Sequence, residues 1–314
     1  MNQKGFSLLE MLIAMGIFGI IMGVATSTYI TFLNHLPRER KIASVNSDAK
    51  IAMLLMEKDI KTAGFGLPPE LRIASDDNCT VGDTSFCVAN SDRIFIADGW
   101  EMIKDFTNNG DEDGTITTAK YVTLSTVGEN GGYFTTLSVD TTAGATLVPV
   151  TQMNINSGDE EANAHTPDDD FKANRALILY NSALSTLEGH RTTTGSNMTL
   201  LGADALNTAI PVSGTQVVPA IAYYIAVVDG NPWLFRNNNK VLKGVSALAF
   251  QYGYDDNGNQ YIEGNVIPSE WKDSIPGGFT AERLKAVRIS MTVDVTVKDK
   301  TYSYNFQTIT DMRN

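Results

Sequence analysis

Residues 4–33 read Lys-Gly-Phe-Ser-Leu-Leu-Glu-Met-Leu-Ile-Ala-Met-Gly-Ile-Phe-Gly-Ile-Ile-Met-Gly-Val-Ala-Thr-Ser-Thr-Tyr-Ile-Thr-Phe-Leu. From Phe6 to Leu33 the run is almost wholly apolar, and Glu10 is its only charged residue. About 20 apolar residues are enough for a helix to cross a bilayer. The run is also longer than the apolar part of an ordinary secretory signal. The stretch therefore predicts one membrane-spanning helix near the start of the chain.

The charges on either side of this run predict its orientation. Residues 1–5, Met-Asn-Gln-Lys-Gly, form a short polar leader that carries Lys4. Glu39, Asp48 and an acidic remainder follow the run. Because basic residues favour the cytoplasmic side of a membrane, Met1 is expected in the cytoplasm and the rest of the chain outside it.

Glu10 is the informative residue of the run, because a carboxylate in a membrane helix is costly unless it is paired. The sequence Lys-Gly-Phe-Ser-Leu-Leu-Glu at 4–10 resembles the prepilin signal of type IV pilins and type II secretion pseudopilins. The resemblance implies that a prepilin peptidase cuts between Gly5 and Phe6 and that the new amine of Phe6 is methylated. It also implies that Glu10 pairs in the filament with the N-terminal amine of a neighbouring subunit. The alternative is a plain membrane anchor with an incidental glutamate.

Three glycines, Gly16, Gly19 and Gly23, lie within the apolar run, and the last two form a GxxxG motif. Small residues let membrane helices approach one another closely, so these glycines are candidates for helix packing. Glycine also weakens the interior of a helix, and local loosening is the other interpretation.

The helix is expected to continue beyond the membrane as an amphipathic segment. Apolar residues recur there at steps of three and four, at Ile42, Val45, Ala49, Ala52, Met56 and Ile60, which is typical of a helix with one buried face. Pro37 is expected to kink the helix. Its end is expected at the helix-breaking residues Gly64, Gly66, Pro68 and Pro69.

The remainder is expected to be rich in β-strands joined by long loops. Apolar and β-branched runs predict strands at Arg93–Ala97, Tyr121–Thr126, Tyr133–Val139, Thr146–Met153, Ala176–Tyr180, Val217–Val228, Pro232–Arg236, Val245–Tyr252, Val287–Val297 and Tyr302–Thr308. Strict alternation from Val287 indicates a strand with one buried face. The polar stretch Asn154–Asn174 is predicted to be an exposed loop.

These segments give the expected domain organisation. The chain divides into a leader (1–5), a transmembrane helix (6–33), an amphipathic continuation (34–66) and an extracytoplasmic head (67–314). The predicted class is α+β, with the pilin-like arrangement of a long N-terminal helix packed on an antiparallel sheet.

The last hundred residues carry a second resemblance. In order they contain Ile-Ala-Tyr-Tyr-Ile at 221–225, Trp-Leu-Phe-Arg at 233–236, Leu-Lys-Gly-Val at 242–245, Val-Arg-Ile at 287–289 and a terminal Arg-Asn. This order resembles PilW-type minor pilins and the related J-type pseudopilins of type II secretion. It implies a minor subunit, present in few copies near the tip, that helps to start pilus assembly.

Two other functions compete with that of a minor pilin. One is a J-type pseudopilin, and the other, from a different class, is a membrane-anchored adhesin or lectin. As a minor pilin, the chain would have as partners other major and minor pilins, the prepilin peptidase and the inner-membrane assembly platform. Before assembly it would sit in the bacterial inner membrane with its head in the periplasm, and after assembly in the extracellular pilus.

Composition and motifs count against several other functions. The formal net charge of −12 is unfavourable for binding nucleic acid, which needs clustered Lys and Arg. The sequence has no GxSxG nucleophile motif and no phosphate-binding glycine motif, so an enzyme is not expected. Cys79 and Cys87 are the only cysteines. In an extracytoplasmic head they are expected to form a disulfide, with two free thiols as the alternative.

Asn109, Asp111 and Asp113 alternate oxygen donors ahead of Gly114, like the first half of a calcium-binding loop. Position twelve of that loop is Lys120 and not glutamate, which excludes a complete EF-hand. Calcium binding at the three residues is therefore a hypothesis beside the simpler one of a solvated acidic turn. Asp255, Asn257 and Asn259 with Glu263 form a weaker candidate of the same kind, and Gly258 there is explained more simply as a turn residue.

Overall fold

The computed structural model describes residues 8–64, 67, 69–76, 87–88, 90–97, 137–150, 175–192, 199–200, 204–259, 262, 270–275, 283–297 and 300–312. The predicted strand Tyr121–Thr126 and the predicted loop Asn154–Asn174 lie outside these residues. Contacts divide the chain into two units. The first is Met1–Asp48 with Val295–Tyr302, and the second is Ala49–Asp294 with Ser303–Asn314.

The long helix α1 (Leu8–Lys61) has 54 residues and continues through Pro37. Proline has no amide hydrogen, so Leu33 loses the donor that its carbonyl would normally meet four residues later. The chain leaves the helix at Gly64, which has a φ of +61° and donates its amide to the carbonyl of Ala97 at 3.1 Å. A Cβ at Gly64 would overlap the side chain of Arg72. The predicted helix and its end near Gly64 are confirmed.

The buried face of α1 in the second unit is the predicted one. Ala49, Ala52, Met56 and Ile60 are each at most 1% exposed, while Ile42 and Val45 farther up the helix are half-buried. Burial of this stripe stabilises the helix by about 25 cal/mol for each Å² of apolar surface removed from water. The spacing of three and four therefore identified the core side of the helix.

Seven strands form the larger antiparallel sheet: β1 (Ile73–Asp76), β2 (Arg93–Ala97), β3 (Ala176–Asn181), β4 (Thr186–Arg191), β5 (Thr215–Val228), β6 (Asn231–Arg236) and β7 (Asn239–Lys243). The order is β1-β2-β5-β3-β4, and β6 pairs with both β5 and β7. The sheet contributes to a core cluster that includes Phe95, Leu177, Val218 and Tyr224.

The central strand β5 has 14 residues and pairs with three neighbouring strands. Its first part pairs with β3, from Thr215 to Ala220, and its last part pairs with β6, from Tyr223 to Val228. Between them, Ala220 to Tyr223 pair with β2. A strand that is flanked by other strands and buried on both faces needs a continuous apolar run, which the sequence at 217–228 supplies.

The smaller sheet has the order β11-β10-β8-β9, formed by β8 (Val245–Tyr254), β9 (Trp271–Lys272), β10 (Leu284–Val297) and β11 (Lys300–Asp311). In β10, Val287, Ile289, Met291, Val293 and Val295 are buried, and the residues between them are half-buried. The predicted alternation is confirmed.

Two predicted strands are different in the structure. In the described parts of Tyr133–Val139 and Thr146–Met153, the chain makes isolated bridges, Leu137 to Val150 and Leu147 to Thr199, and no continuous ladder. Leu137 and Val148 are fully buried in the core cluster. Their apolar spacing therefore reflects burial of extended chain and not strand pairing. Four short strands, β1, β4, β7 and β9, were not predicted.

Candidate functional site

The first half of α1 exposes nearly all of its apolar side chains. The large apolar residues from Leu8 to Leu33 range from 45% exposed at Leu33 to 81% exposed at Leu8. It is the one helix, among the described residues, that is long and apolar enough to cross a membrane, and none of its most apolar window is buried. Because exposed apolar surface on this scale is unfavourable in water, the segment requires a lipid or protein environment.

Two threonine hydroxyls of this segment are bonded within the helix. The Thr28 hydroxyl donates to the carbonyl of Val24 and the Thr31 hydroxyl donates to the carbonyl of Ser27, each at 2.9 Å. Such bonds to the residue four positions earlier spare hydroxyls the cost of entering hydrocarbon without a partner. The threonines are therefore compatible with a membrane-spanning segment.

Glu10 lies in the first turn of α1 and is exposed. A carboxylate in this position interacts favourably with the positive end of the helix dipole. Gly5 and Phe6 lie outside the described residues, so cleavage, methylation and the pairing of Glu10 with a neighbour's amine stay predictions.

Gly16, Gly19 and Gly23 follow one another at steps of three and four, which places them on one face of α1. A Cβ at any of the three would meet no atom within 4 Å. The protein itself therefore gives no steric reason for glycine at these positions. Packing of this face against another helix stays a prediction.

In the second unit, Asp59 fixes α1 to the larger sheet through a buried carboxylate. Its Oδ2 accepts a hydrogen bond from the Tyr223 hydroxyl at 2.6 Å and another from Arg236 Nε at 2.7 Å. Asp59 is 6% exposed. Tyr223 lies on β5 and Arg236 on β6, so one helical carboxylate holds two neighbouring strands.

The pKa shifts of this cluster show what the carboxylate does to its partners. Burial, and then the charge and hydrogen bond of Asp59, raise the pKa of the Tyr223 hydroxyl far above its ordinary value. Burial alone would lower the pKa of Arg236, but the hydrogen bond and charge of Asp59 outweigh it and raise that pKa. Both partners therefore keep their protons, and the cluster holds one anion and one cation.

A second buried polar cluster joins β4 to the segment around Asp204. Asp204 Oδ1 accepts a bond from Arg93 Nη1 at 2.8 Å, and its Oδ2 accepts one from the Arg191 amide at 2.7 Å. Arg93 Nε also donates to Asp76 at 2.8 Å. The Arg191 guanidinium lies 4.1 Å above the ring centre of Tyr224. The cluster thus connects four strands, β1, β2, β4 and β5.

His190 occupies the middle of this cluster and is 1% exposed. Its Nδ1 lies 2.9 Å from the backbone oxygen of Asp204, and its Nε2 lies 2.9 Å from Glu188 Oε2. Both ring nitrogens are therefore bonded within the cluster, one to a backbone carbonyl and the other to a carboxylate.

Glu188 is held as a carboxylate by several donors. Burial acts to raise its pKa, but hydrogen bonds from His190, from the Thr208 hydroxyl at 2.6 Å and from the Asn207 amide at 2.9 Å outweigh burial and lower it. Asn207 and Thr208 belong to the segment that follows Asp204. Because both nitrogens of His190 are occupied, neither is left to activate a nucleophile, and the arrangement supports a structural role.

Asp92 links the two sheets. Its amide donates to the carbonyl of Leu248 at 2.9 Å, and its Oδ2 accepts from the Phe250 amide at 2.8 Å. The residue stands just before β2 in the larger sheet, while Leu248 and Phe250 belong to β8 in the smaller sheet. A single aspartate just before β2 therefore connects the larger sheet to the backbone of the smaller one.

The predicted disulfide and the predicted calcium site lie partly or wholly outside the described residues. Cys87 is buried and disulfide-bonded, but Cys79 lies outside the described residues, and the pairing of the two stays a prediction. Asn109, Asp111 and Asp113 also lie outside, so calcium binding there stays a prediction.

The second, weaker calcium candidate is a turn in the structure. Asp255 is 4% exposed, and its Oδ1 accepts bonds from the amides of Gly258 and Asn259 at 2.7 and 3.0 Å. Gly258 has a φ of +78°, which favours glycine. The carboxylate thus stabilises the turn, as the simpler interpretation of Gly258 indicated.

Sequence reasoning did not identify the two buried clusters. Asp59 carried a usable signal, because it falls on the apolar face of α1 between Met56 and Ile60 and is a charged residue at a core position. Glu188 and His190 carried none, because Thr-Leu-Glu-Gly-His-Arg at 186–191 has the composition of an exposed turn. Their partners lie on segments distant in sequence.

Comparison with known proteins yields one match. Residues 1–26 match the family model of the prokaryotic N-terminal methylation motif. No curated protein and no solved structure matches the chain. The matched residues include Gly5, Phe6 and Glu10 together with the three glycines on the exposed face of α1.

Proposed function

The chain is a protein of the type IV pilin or pseudopilin type, and from that premise we propose that it is a minor pilin of the PilW type. In this role it is a structural subunit, present in few copies near the tip, that helps to start pilus assembly. Its precursor is held in the bacterial inner membrane by α1 with the head in the periplasm, and the processed protein is part of the extracellular pilus.

One observation carries the proposal, namely that the motif-bearing helix is exposed along its whole apolar length. The head has a core of its own, and among the described residues nothing covers Leu8 to Leu33. A helix of this kind passes from lipid to a filament core without the head having to refold. The motif indicates a structural subunit, and the closed hydrogen bonding of His190 agrees with that.

The C-terminal part of the chain favours a minor pilin over a major pilin, the subunit that forms most of a pilus. The motifs shared with PilW-type proteins fall on β5, β6, β7, β8 and β10 in the two sheets, and the terminal Arg-Asn lies outside the described residues. Residues 67–216, which precede them, include segments longer than a compact, densely tiled subunit needs. A subunit present in few copies tolerates such segments because it does not have to repeat along the filament.

The second candidate is a J-type pseudopilin of type II secretion, because the same motifs occur in both groups. The two functions predict different phenotypes in a deletion strain. Loss of surface pili with normal protein secretion supports the minor pilin, whereas loss of secretion with normal pili supports the pseudopilin.

The processing of the N-terminus tests the filament role directly. Mass spectrometry of the filament-associated protein should find Phe6 as the first residue with one methyl group. Gly5→Leu should block cleavage and leave the precursor in the membrane. Gly16→Ala, a matched change within α1, should be processed normally because it lies away from the cleavage site. An assembled subunit that still begins at Met1 would show that the proposal is wrong.

A further inference from the structure

A group of basic side chains lies just beyond the exposed apolar run. We call it the basic collar, and it consists of Arg38, Arg40 and Lys41 on α1 and of Lys300 at the start of β11. All four belong to the first unit of the chain. Residues 34–48 and 295–302 together carry five Lys or Arg against three Asp or Glu, whereas the whole chain has a formal charge of −12. The collar is therefore a basic region in an acidic protein.

Contacts between α1 and the ends of β10 and β11 build the collar. Lys41 Nζ donates to the carbonyl of Thr296 at 2.7 Å, and the Arg38 guanidinium lies 4.4 Å from the ring centre of Tyr302. The hydroxyls of Thr296 and Thr301 lie 3.1 Å apart and connect the two strand ends. These contacts bring Lys300 to the same level of the helix as Arg38 and Lys41.

The collar lies at the outer edge of the headgroup layer of a bilayer that holds the apolar run, and just beyond that edge. At about 1.5 Å of rise per residue, Arg38 lies about 8 Å and Lys41 about 12 Å beyond Leu33. The polar layer on each side of the hydrocarbon is about 5–8 Å thick. Long basic side chains also reach back toward the membrane surface. Tyr302, which contacts Arg38, is an aromatic side chain of the kind that favours the membrane interface.

The charges of the collar are not neutralised within the part of the chain that the structure describes. None of its four side chains forms an ion pair there. Arg38 Nε is buried and has no hydrogen-bond partner. Basic residues next to the outer end of a membrane helix also oppose the usual charge bias of membrane insertion. The collar is therefore available to an anionic partner at the membrane surface.

We propose that the basic collar binds the phosphate headgroups of anionic phospholipids on the outer side of the membrane that holds α1. The inference rests on the membrane anchoring in the proposed function and adds a lipid preference to it. Bound headgroups hold the helix at a fixed depth, and they must be released when the subunit moves into a filament. An acidic surface of a neighbouring subunit is the other anion of suitable charge, but it has no reason to lie at the end of the apolar run.

Electron paramagnetic resonance on the full-length protein in phosphatidylcholine bilayers tests the preference. Spin-labelled phosphatidylglycerol and spin-labelled phosphatidylcholine are compared as probes of the lipid shell around the helix. The wild-type protein should bind the glycerol lipid at least about fivefold more strongly, because one basic residue near an anionic surface is worth about that factor. The preference should fall to nearly one in 1 M NaCl, where charges are strongly screened.

The triple variant R38Q/R40Q/K41Q should lose most of the preference in ordinary buffer, because Lys300 is then the only basic residue of the collar that remains. Lys50, Lys58 and Lys61 provide the matched control, because they are exposed basic residues farther along the same helix. The variant K50Q/K58Q/K61Q should keep the full preference.

Equal association of the two lipids with the wild-type protein would overturn the proposal. So would a preference that survives 1 M NaCl or that is lost equally in both triple variants. If the lipids associate equally and the collar variant instead weakens cross-linking to a neighbouring subunit, the collar binds protein and not lipid. The bilayer experiment needs no filament, so its failure is distinct from a failure of the pilin function, which appears in processing and incorporation.

Discussion

Buried charges decide how α1 is held against the head. Asp59 is placed at a position where the helix otherwise presents Ala52, Met56 and Ile60, and it is stable there because Tyr223 and Arg236 both donate to it. A buried ion pair adds little to stability compared with an apolar pair of equal size, but breaking it leaves an uncompensated charge. The helix therefore has one favourable register against β5 and β6.

Asp59→Asn should lower the free energy of unfolding by about 3 kcal/mol, because Arg236 keeps its charge and loses its counter-ion. Urea unfolding of the detergent-solubilised protein measures the change. The matched control is Glu57→Gln, two residues away, where the carboxylate accepts a bond from Thr308 and pairs with the half-exposed Lys61. The control should cost about 1 kcal/mol or less. Equal losses in the two variants would contradict the special role of Asp59.

The carboxylate of Glu188 should make the stability of the head depend on pH. Hydrogen bonds lower its pKa in the folded protein, so the folded state takes up the proton less readily than the unfolded state. The stabilisation is therefore complete above the ordinary glutamate pKa of about 4.3 and is lost as the pH falls through the lower folded value. Glu188→Gln should cost about 3–5 kcal/mol at pH 7 because the buried groups that bond to the carboxylate then lose their anion.

Unfolding of wild type and Glu188→Gln between pH 7 and pH 2.5 checks this dependence. The difference between the two proteins should be constant down to about pH 4.3 and should shrink below it. Glu39→Gln, at an exposed position on α1, should differ from wild type by less than about 0.5 kcal/mol throughout. A difference for Glu188→Gln that does not change down to pH 2.5 would argue against the carboxylate as its source.

At the level of helices and strands, local pattern predicted the long elements and missed four of the short ones. The period of 3.6 identified the buried face of α1, the period of 2 identified β10, and a continuous apolar run identified β5. β1, β7 and β9 have only two to five residues, too few to establish a period. β4 has six residues, but it buries Glu188, His190 and Arg191, whose burial depends on partners far away in sequence.

The junction between β7 and β8 depends on a glycine. Gly244 has a φ of +84°, and a Cβ there would lie 2.6 Å from the backbone oxygen of Asp294 on β10. Gly244→Ala should therefore cost about 3 kcal/mol, from backbone strain together with the displacement of β10. Gly258 is the matched control, since its φ is +78° and a Cβ would meet nothing within 4 Å.

Gly258→Ala should cost about 1 kcal/mol, from the left-handed backbone alone. Thermal unfolding followed by circular dichroism should therefore rank the midpoints as wild type, then Gly258→Ala, then Gly244→Ala. If the two alanine variants melt together, the approach of Asp294 does not limit the junction.

At the level of the whole molecule, the exposed half of α1 and the core of the head differ in how far they could be predicted from the sequence. The sequence was sufficient for the membrane helix and its motif, because both are local and need no partner within the chain. It was not sufficient for the clusters around Asp59 and His190, which exist only after strands from different parts of the chain meet. The helix and motif that are proposed to act between subunits were therefore easier to predict than the clusters that hold the head together.

Glu10 is a single residue that is expected to affect how whole molecules assemble, because its partner is expected on another molecule. Glu10→Ala removes a charge from the apolar run, so membrane insertion should be unchanged or slightly better. Cleavage after Gly5 should also proceed, whereas incorporation into filaments should fall about tenfold or more because the neighbour's amine loses its counter-ion. Immunoblots of the membrane and sheared-filament fractions, with mass spectrometry of the N-terminus, measure the three steps separately.

Glu10→Gln separates charge from size in the same experiment. It keeps the shape of the side chain and should fail like Glu10→Ala, because an amide cannot neutralise an amine. Gly5→Leu should fail earlier, as an uncleaved precursor, so defects of processing and of assembly give different bands. If Glu10→Ala is cleaved and incorporated at the wild-type level, a charge pair does not guide assembly of this subunit. Failure of Glu10→Ala alone, with normal incorporation of Glu10→Gln, would make side-chain volume and not charge the property that the filament recognises.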